Sequence, residues 1–118
     1  MLFICYSRCS TCKKAENWLN VHNVHFNKRD IKEYNPSFEE LKVWTEKSNL
    51  DLKRFFNTSG LIYRQMELKD KIPSMNKDEI LRLLSTDGML VKRPLLIGTN
   101  FVLVGFNEKE WSEKLLNL

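Results

Sequence analysis

Cys9 and Cys12 stand two residues apart in the stretch YSRCSTCKKAENWL, residues 6–19. Thiols at that spacing serve as a redox pair, as half of a metal site, or as two inert buried groups, and the neighbouring residues weigh the three against one another. The run LFICY, residues 2–6, is rich in strand formers and ends at Ser7-Arg8. From Ser10 the pattern turns helical, with Ala15, Trp18, Leu19 and His22 at spacings of three and four. Cys9 is thus predicted to lie where a strand ends and a helix begins. The free amides and the dipole of a helix N-terminus favour a thiolate over a thiol, and the thiolate is the nucleophile. A free cysteine is only about 3% ionised at neutral pH, whereas lowering its pKa to about 7 ionises half of it. Arg8, Lys13 and Lys14 add positive potential nearby. Cys12, one turn along, shares a helix face with Cys9. That is the geometry of a nucleophile and a resolving thiol: Cys9 attacks, and Cys12 displaces the mixed disulfide. The helix should turn Cys12 inward, making it the more buried of the two.

The other readings are weaker. Zinc takes about four ligands, and the chain has neither a second CxxC nor a His-x3-5-His. His22 and His25 are expected to straddle a helix-to-strand turn, so no metal is expected. Cys5, inside the first strand, reads as a small core residue. Arg93-Pro94 precedes the apolar run LLI. A proline opening a strand is structurally ordinary, and local sequence favours that reading over a functional one.

These residues need a scaffold. VHFNKRDI, residues 24–31, reads as a second strand, so strand, helix and strand follow one another as a βαβ unit with parallel strands. Ser37 and Glu40 form a capping box before Phe38, Leu41 and Trp44. DLKRFFNTSG, residues 51–60, reads as a short helix ending at Ser59-Gly60. Asn76 caps a further helix with Glu79 three residues on, Ile80, Leu83 and Leu84 on its apolar face, and Gly88 as its stop. Leu95–Ile97 and Phe101–Val104 form a hairpin. Asn107, with Glu110, caps a last helix that faces Trp111 and Leu115 inward. The order is βαβ…ββα around a mostly helical middle.

With 118 residues, 42% hydrophobic and 11% aromatic, the chain fits one domain with a real core. The apolar start is too short for a secretory signal, and no stretch approaches the roughly 18 apolar residues of a membrane span. An odd set of three cysteines, all in the first dozen residues, does not suit a secreted disulfide scaffold. A cytoplasmic location is expected. The net charge of +4 comes from 19 basic and 15 acidic residues. The basic residues fall at most in pairs, with acidic ones between them, which reads as a solvated surface rather than a nucleic-acid face. Neither direct DNA binding nor membrane association is expected.

Strand, CxxC opening a helix, βαβ, and a later Arg-Pro before a hairpin and final helix resemble the thioredoxin fold. More narrowly, YSRCSTCKKAENWL together with LVKRPLLI and VGFNEKEW is similar to the arsenate reductase (ArsC)/Spx family. DLKRFFNTSGLIYR and LSTDGMLVKRPLL resemble its little-characterised bacterial branch. The resemblance covers essentially the whole chain. It implies one α/β, thioredoxin-like domain over 1–118, with its core at about 1–34 and 89–118 and a helical insertion at about 35–88. It also implies that Pro94 is cis and shapes a substrate groove beside the CxxC, and that Arg93 points toward Cys9 to stabilise its thiolate or hold an anion. Arg8 is the further substrate-binding candidate. The leading function is a thiol–disulfide reductase working as a monomer, with no metal or organic cofactor and electrons from a thiol donor such as thioredoxin or glutathione. One alternative is an Spx-like redox-switched regulator that binds the C-terminal domain of the RNA polymerase α subunit. The second alternative is an arsenate reductase. Such enzymes hold the oxyanion with three arginines and take the resolving thiol from glutathione. Here only Arg93 is matched. The second arginine position falls near Asn57 and the third near Leu103–Gly105, with Arg54 and Arg64 as the available substitutes. Cys12 supplies a resolving thiol internally.

Overall fold

Strand β1 (Leu2–Cys5) is apolar throughout because both of its faces are covered. Side chains alternate along a strand. Phe3 and Cys5 enter one cluster, and Ile4 enters the other. The chain then forms α1 (Ser10–Val21) and returns as β2 (Asn27–Asp30), parallel to β1 from Leu2–Asn27 to Cys5–Asp30. The βαβ unit is therefore as expected, with a shorter second strand. Asn23 takes a left-handed φ of 56°, and the Val24 amide is spent on the Leu19 carbonyl, so the chain is still leaving the helix there. The protein's structure, a computed structural model, describes residues 1–116. The end of the expected domain, 117–118, lies outside the described residues.

The middle of the chain is a set of helices: α2 (Phe38–Ser48), α3 (Leu61–Gln65), α4 (Leu68–Lys71) and α5 (Lys77–Thr86). Both expected capping boxes form. Ser37 Oγ accepts the Glu40 amide at 3.1 Å, and Asn76 Oδ1 accepts the Glu79 amide at 2.9 Å. Four sequence expectations are corrected. Residues 52–55 make a single 3-10 turn, after which Phe56 is extended and bridges Val91. Gly60 does not end a helix but caps the start of α3. Leu81, rather than Leu83, is fully buried on α5 beside Ile80 and Leu84. Gly88 is not the stop of α5, which ends at Thr86 before an extended Asp87. It lies in a 3-10 turn pressed against the end of β2, where an added Cβ would fall 1.8 Å from the Ile31 carbonyl oxygen.

The expected hairpin is β3 (Leu95–Ile97) and β4 (Val102–Val104), closed by α6 (Glu108–Leu116). Asn107 Oδ1 accepts the Glu110 amide at 2.9 Å, as the sequence predicts for that cap. The strand order is β2-β1-β3-β4, with β3 antiparallel to both neighbours. On one face, α2 and α5 place Leu41, Trp44, Ile80, Leu81 and Leu84 over Ile4, Leu95, Ile97, Val102 and Val104. On the other, α1 and α6 place Ala15, Trp18, Leu19 and Trp111 over Phe3, Leu96 and Leu103. Trp111 meets Phe3, Trp18 and Phe106 edge-on, the closest ring centre at 4.9 Å, and its indole donates to the Gly105 carbonyl at 3.2 Å. No described helix is long and apolar enough to cross a membrane.

Candidate active site

The site forms where β1 runs out and α1 starts. A turn closes it, with the Cys9 amide donating to the Tyr6 carbonyl at 3.0 Å. Cys9 is the N-cap of α1. Its backbone is extended (φ −95°, ψ 116°), and its sulfur accepts the Cys12 amide at 3.3 Å. A sulfur thus takes the place that a serine or aspartate oxygen usually holds at a cap, where negative charge is favoured. Burial pushes the Cys9 thiol up. The Cys12 amide, the Cys12 thiol and the Arg93 guanidinium together outweigh it, so the sulfur titrates below the ordinary cysteine range.

Cys12 is the opposite case. It is 3% exposed, whereas Cys9 is half-buried. Burial in the first instance, and then the neighbouring Cys9 and Cys5 sulfurs, push the Cys12 thiol up to about 12, against the lowering effect of the Tyr6 amide, which donates to it at 3.4 Å. The two thiols are free, and their environments drive them apart: one toward the anion, one toward the protonated form. Cys5, 4% exposed, is pushed up to about 11, chiefly by burial, as suits a core residue.

Strand pairing delivers the distant partner. Ile4 pairs with Leu95, and continuing that antiparallel register sets Pro94 opposite Cys5 and Arg93 opposite Tyr6. The Arg93-Pro94 peptide is cis. The Gly105 amide, at a φ of 73°, donates to the Pro94 carbonyl at 2.8 Å and so ties this loop to the exit of β4. The Arg93 guanidinium lies 5.2 Å over the Tyr6 ring, and its Nε and Nη1 are buried with no hydrogen-bond partner. Its charge bears on Cys9.

Cys9, Cys12 and Arg93 thus come together, with Pro94 beside Arg93 at the start of β3. Arg8 is exposed, and the cation acting on the sulfur is instead Arg93. Arg64 donates to the Ser59 carbonyl at 3.1 Å, and Arg54 lines a separate groove with Lys53 and Lys92. Asn57, near the second arginine position of arsenate reductases, turns its amide to the Met89 carbonyl at 3.5 Å. Leu103 and Val104, at the third, are buried in β4. Tyr6 was not singled out from the sequence. Its contribution is a backbone amide and a ring face, which residue type alone does not signal.

The sequence model of the ArsC family matches residues 5–114 of this chain. The chain belongs to the ArsC family. The Bacillus subtilis protein YusI, which is uncharacterised, is 50% identical over 113 residues, covering 96% of each chain. The solved structure of an ArsC family related protein from Bacteroides fragilis is 48% identical, with a TM-score of 0.93, covering 95% of this chain and 94% of that one. The global transcriptional regulator Spx of Streptococcus mutans is 29% identical over 105 residues, covering 86% of this chain and 73% of its own. The fold is accordingly the α/β, thioredoxin-like one of ArsC-family structures.

Proposed function

We propose that this ArsC-family protein is a thiol–disulfide reductase, with Cys9 as nucleophile and Cys12 as resolving thiol. The observation that carries the reading is the Cys9 sulfur at the N-cap of α1, accepting the Cys12 amide, with the Cys12 thiol buried one turn along. The Cys9 thiolate attacks one sulfur of a substrate disulfide, and the other sulfur leaves as a thiolate. The Cys12 sulfur then loses its proton and attacks Cys9. The Cys9–Cys12 bond forms, and the second substrate thiolate departs with the electron pair. The substrate gains two electrons and the CxxC is oxidised. A thiol donor such as thioredoxin or glutathione restores the pair, in the cytoplasm and with the protein acting as a monomer. In this reading Arg93 stabilises the Cys9 anion, Pro94 shapes a substrate groove, and Arg8, which is exposed, meets substrate. The test is turnover of a small disulfide by three proteins. The native chain should turn over, Cys9→Ser should not react, and Cys12→Ser should stop as a mixed disulfide at Cys9. Reaction of Cys9→Ser at the native rate would overturn the assignment.

The likeness to Spx supports a second reading, a redox-switched partner of RNA polymerase that docks on the C-terminal domain of its α subunit. It wins if no disulfide is turned over and binding to that domain changes when Cys9 and Cys12 are oxidised. The loss of two of three arginine positions leaves arsenate reduction as the weakest of the three readings.

A further inference from the structure

Resolution by Cys12 poses a problem that the pair itself does not solve. The attacking sulfur must lose a proton, yet it is 3% exposed and its thiol is pushed up to about 12, chiefly by burial. Forming the mixed disulfide at Cys9 removes the negative charge beside Cys12, but the burial remains. The proton needs a destination.

The structure offers one beside Cys12. A cleft of about 170 Å³ opens there, lined by Cys5, Cys12, Glu16, Lys28 and Asp30. It has room for several water molecules, each of which occupies about 30 Å³ in the liquid. Glu16 lies four residues beyond Cys12 on α1, so the two side chains share a helix face. Lys28 on β2 grips the Glu16 carboxylate, with Nζ 3.1 Å from each of its oxygens. The other carboxylate on the cleft, Asp30, has one oxygen engaged in its own turn: Oδ1 accepts the Lys32 and Glu33 amides at 2.8 and 2.9 Å. Around Cys12 stand also Cys5 from β1, the Tyr6 amide and the Cys9 sulfur, and Ser7 and Lys13 complete the lining of the cleft.

We propose that Glu16 is the proton acceptor for Cys12 in the resolving step, reached through water admitted to the cleft, and that Lys28 is the residue that positions it. As the Cys12 sulfur attacks Cys9 in the mixed disulfide, its proton passes through water to Glu16. The S–S bond to Cys9 forms, the bond from Cys9 to the substrate sulfur breaks, and the electron pair leaves on that sulfur. Glu16 then returns the proton to solvent. This assignment rests on the reductase reading.

Single-turnover reduction of dithiobis(nitrobenzoate) separates the steps, because each half of the reagent absorbs when released. The first release reports attack by Cys9, and the second reports resolution by Cys12. Glu16→Gln should slow the second phase about a hundredfold. It should also make that phase rise about tenfold per pH unit, as hydroxide replaces the lost acceptor. Glu16→Asp should restore much of the rate, and Asp30→Asn should leave it as in the native protein. A second phase in Glu16→Gln with the native rate and pH dependence overturns the proposal, as does a slowdown in Asp30→Asn alone. Loss of the first phase in the native protein would instead overturn the reductase reading.

Discussion

Replacing Arg93 by Gln removes the guanidinium charge beside the Cys9 sulfur while keeping a side chain of similar reach. A hydrogen bond or close contact to a charged group is worth about 1.5–3 kcal/mol, and the half-exposed sulfur places this one near the low end. About 1.4 kcal/mol is a factor of ten in the thiolate population. The population does not translate directly into rate, because a thiolate of higher pKa is intrinsically more reactive, with a Brønsted slope of about 0.4–0.5. That recovers about threefold. Alkylation of Cys9 in Arg93→Gln should therefore be about threefold slower than native on the acidic limb and about threefold faster once Cys9 is fully ionised in both proteins. The two pH–rate curves should cross. The assay is the rate of iodoacetamide labelling at Cys9, followed by intact mass across the pH range. The variant should also be no less stable than the native protein, because Arg93 Nε and Nη1 are buried without partners, and an unsatisfied buried donor costs about 1–3 kcal/mol. Curves that coincide, or an Arg93→Gln curve that is lower at every pH, would refute the charge argument.

Three further outcomes follow from the packing. Gly88→Ala forces a Cβ onto the Ile31 carbonyl and should lower stability by about 1–3 kcal/mol in urea unfolding; a native-like midpoint contradicts that contact. Asn76→Ala removes the side-chain oxygen from the capping box of α5 and should cost about 1 kcal/mol in the same assay. Arg29 donates to Glu40 at 2.7 and 2.9 Å and, with the Ser37 amide, holds the Glu40 carboxyl below its usual range against the opposing effect of burial. A folded pKa below the unfolded one gives stability that is present above about pH 4.5 and lost as the pH falls through the folded value. The pair is partly exposed, so Glu40→Gln should cost about 1 kcal/mol at neutral pH and almost nothing in acid; an equal cost at both would contradict this.

Much of the scaffold was legible because its signals are local. Ser37 with Glu40, Asn76 with Glu79 and Asn107 with Glu110 each announce a helix start within four residues, and each bond forms. The place of Cys9 at the strand-to-helix junction was legible for the same reason. What the sequence hid depends on tertiary contact or on residues outside their usual roles. Helices α3 and α4 are separated by Glu67, which takes the left-handed conformation (φ 53°) that glycine more often marks. Gly88 looks like a helix stop, and only the approach of Ile31 explains it. Arg93-Pro94 is unremarkable in local sequence, and it matters because the β1–β3 register sets it against Tyr6 and Cys5. Glu16 carried a readable clue, its four-residue spacing from Cys12, but its salt bridge to Lys28 spans α1 and β2 and appears only in the fold.

The opening of α1 favours the anion at one thiol of the pair, and burial keeps the other protonated. Site-resolved alkylation of the reduced native protein as pH is raised tests this. Cys9 should label first, with a midpoint below that of a free cysteine, while Cys12 and Cys5 stay unlabelled until far more alkaline conditions. Labelling of Cys12 ahead of Cys9, or of Cys9 at the pace of an unperturbed thiol, would contradict it.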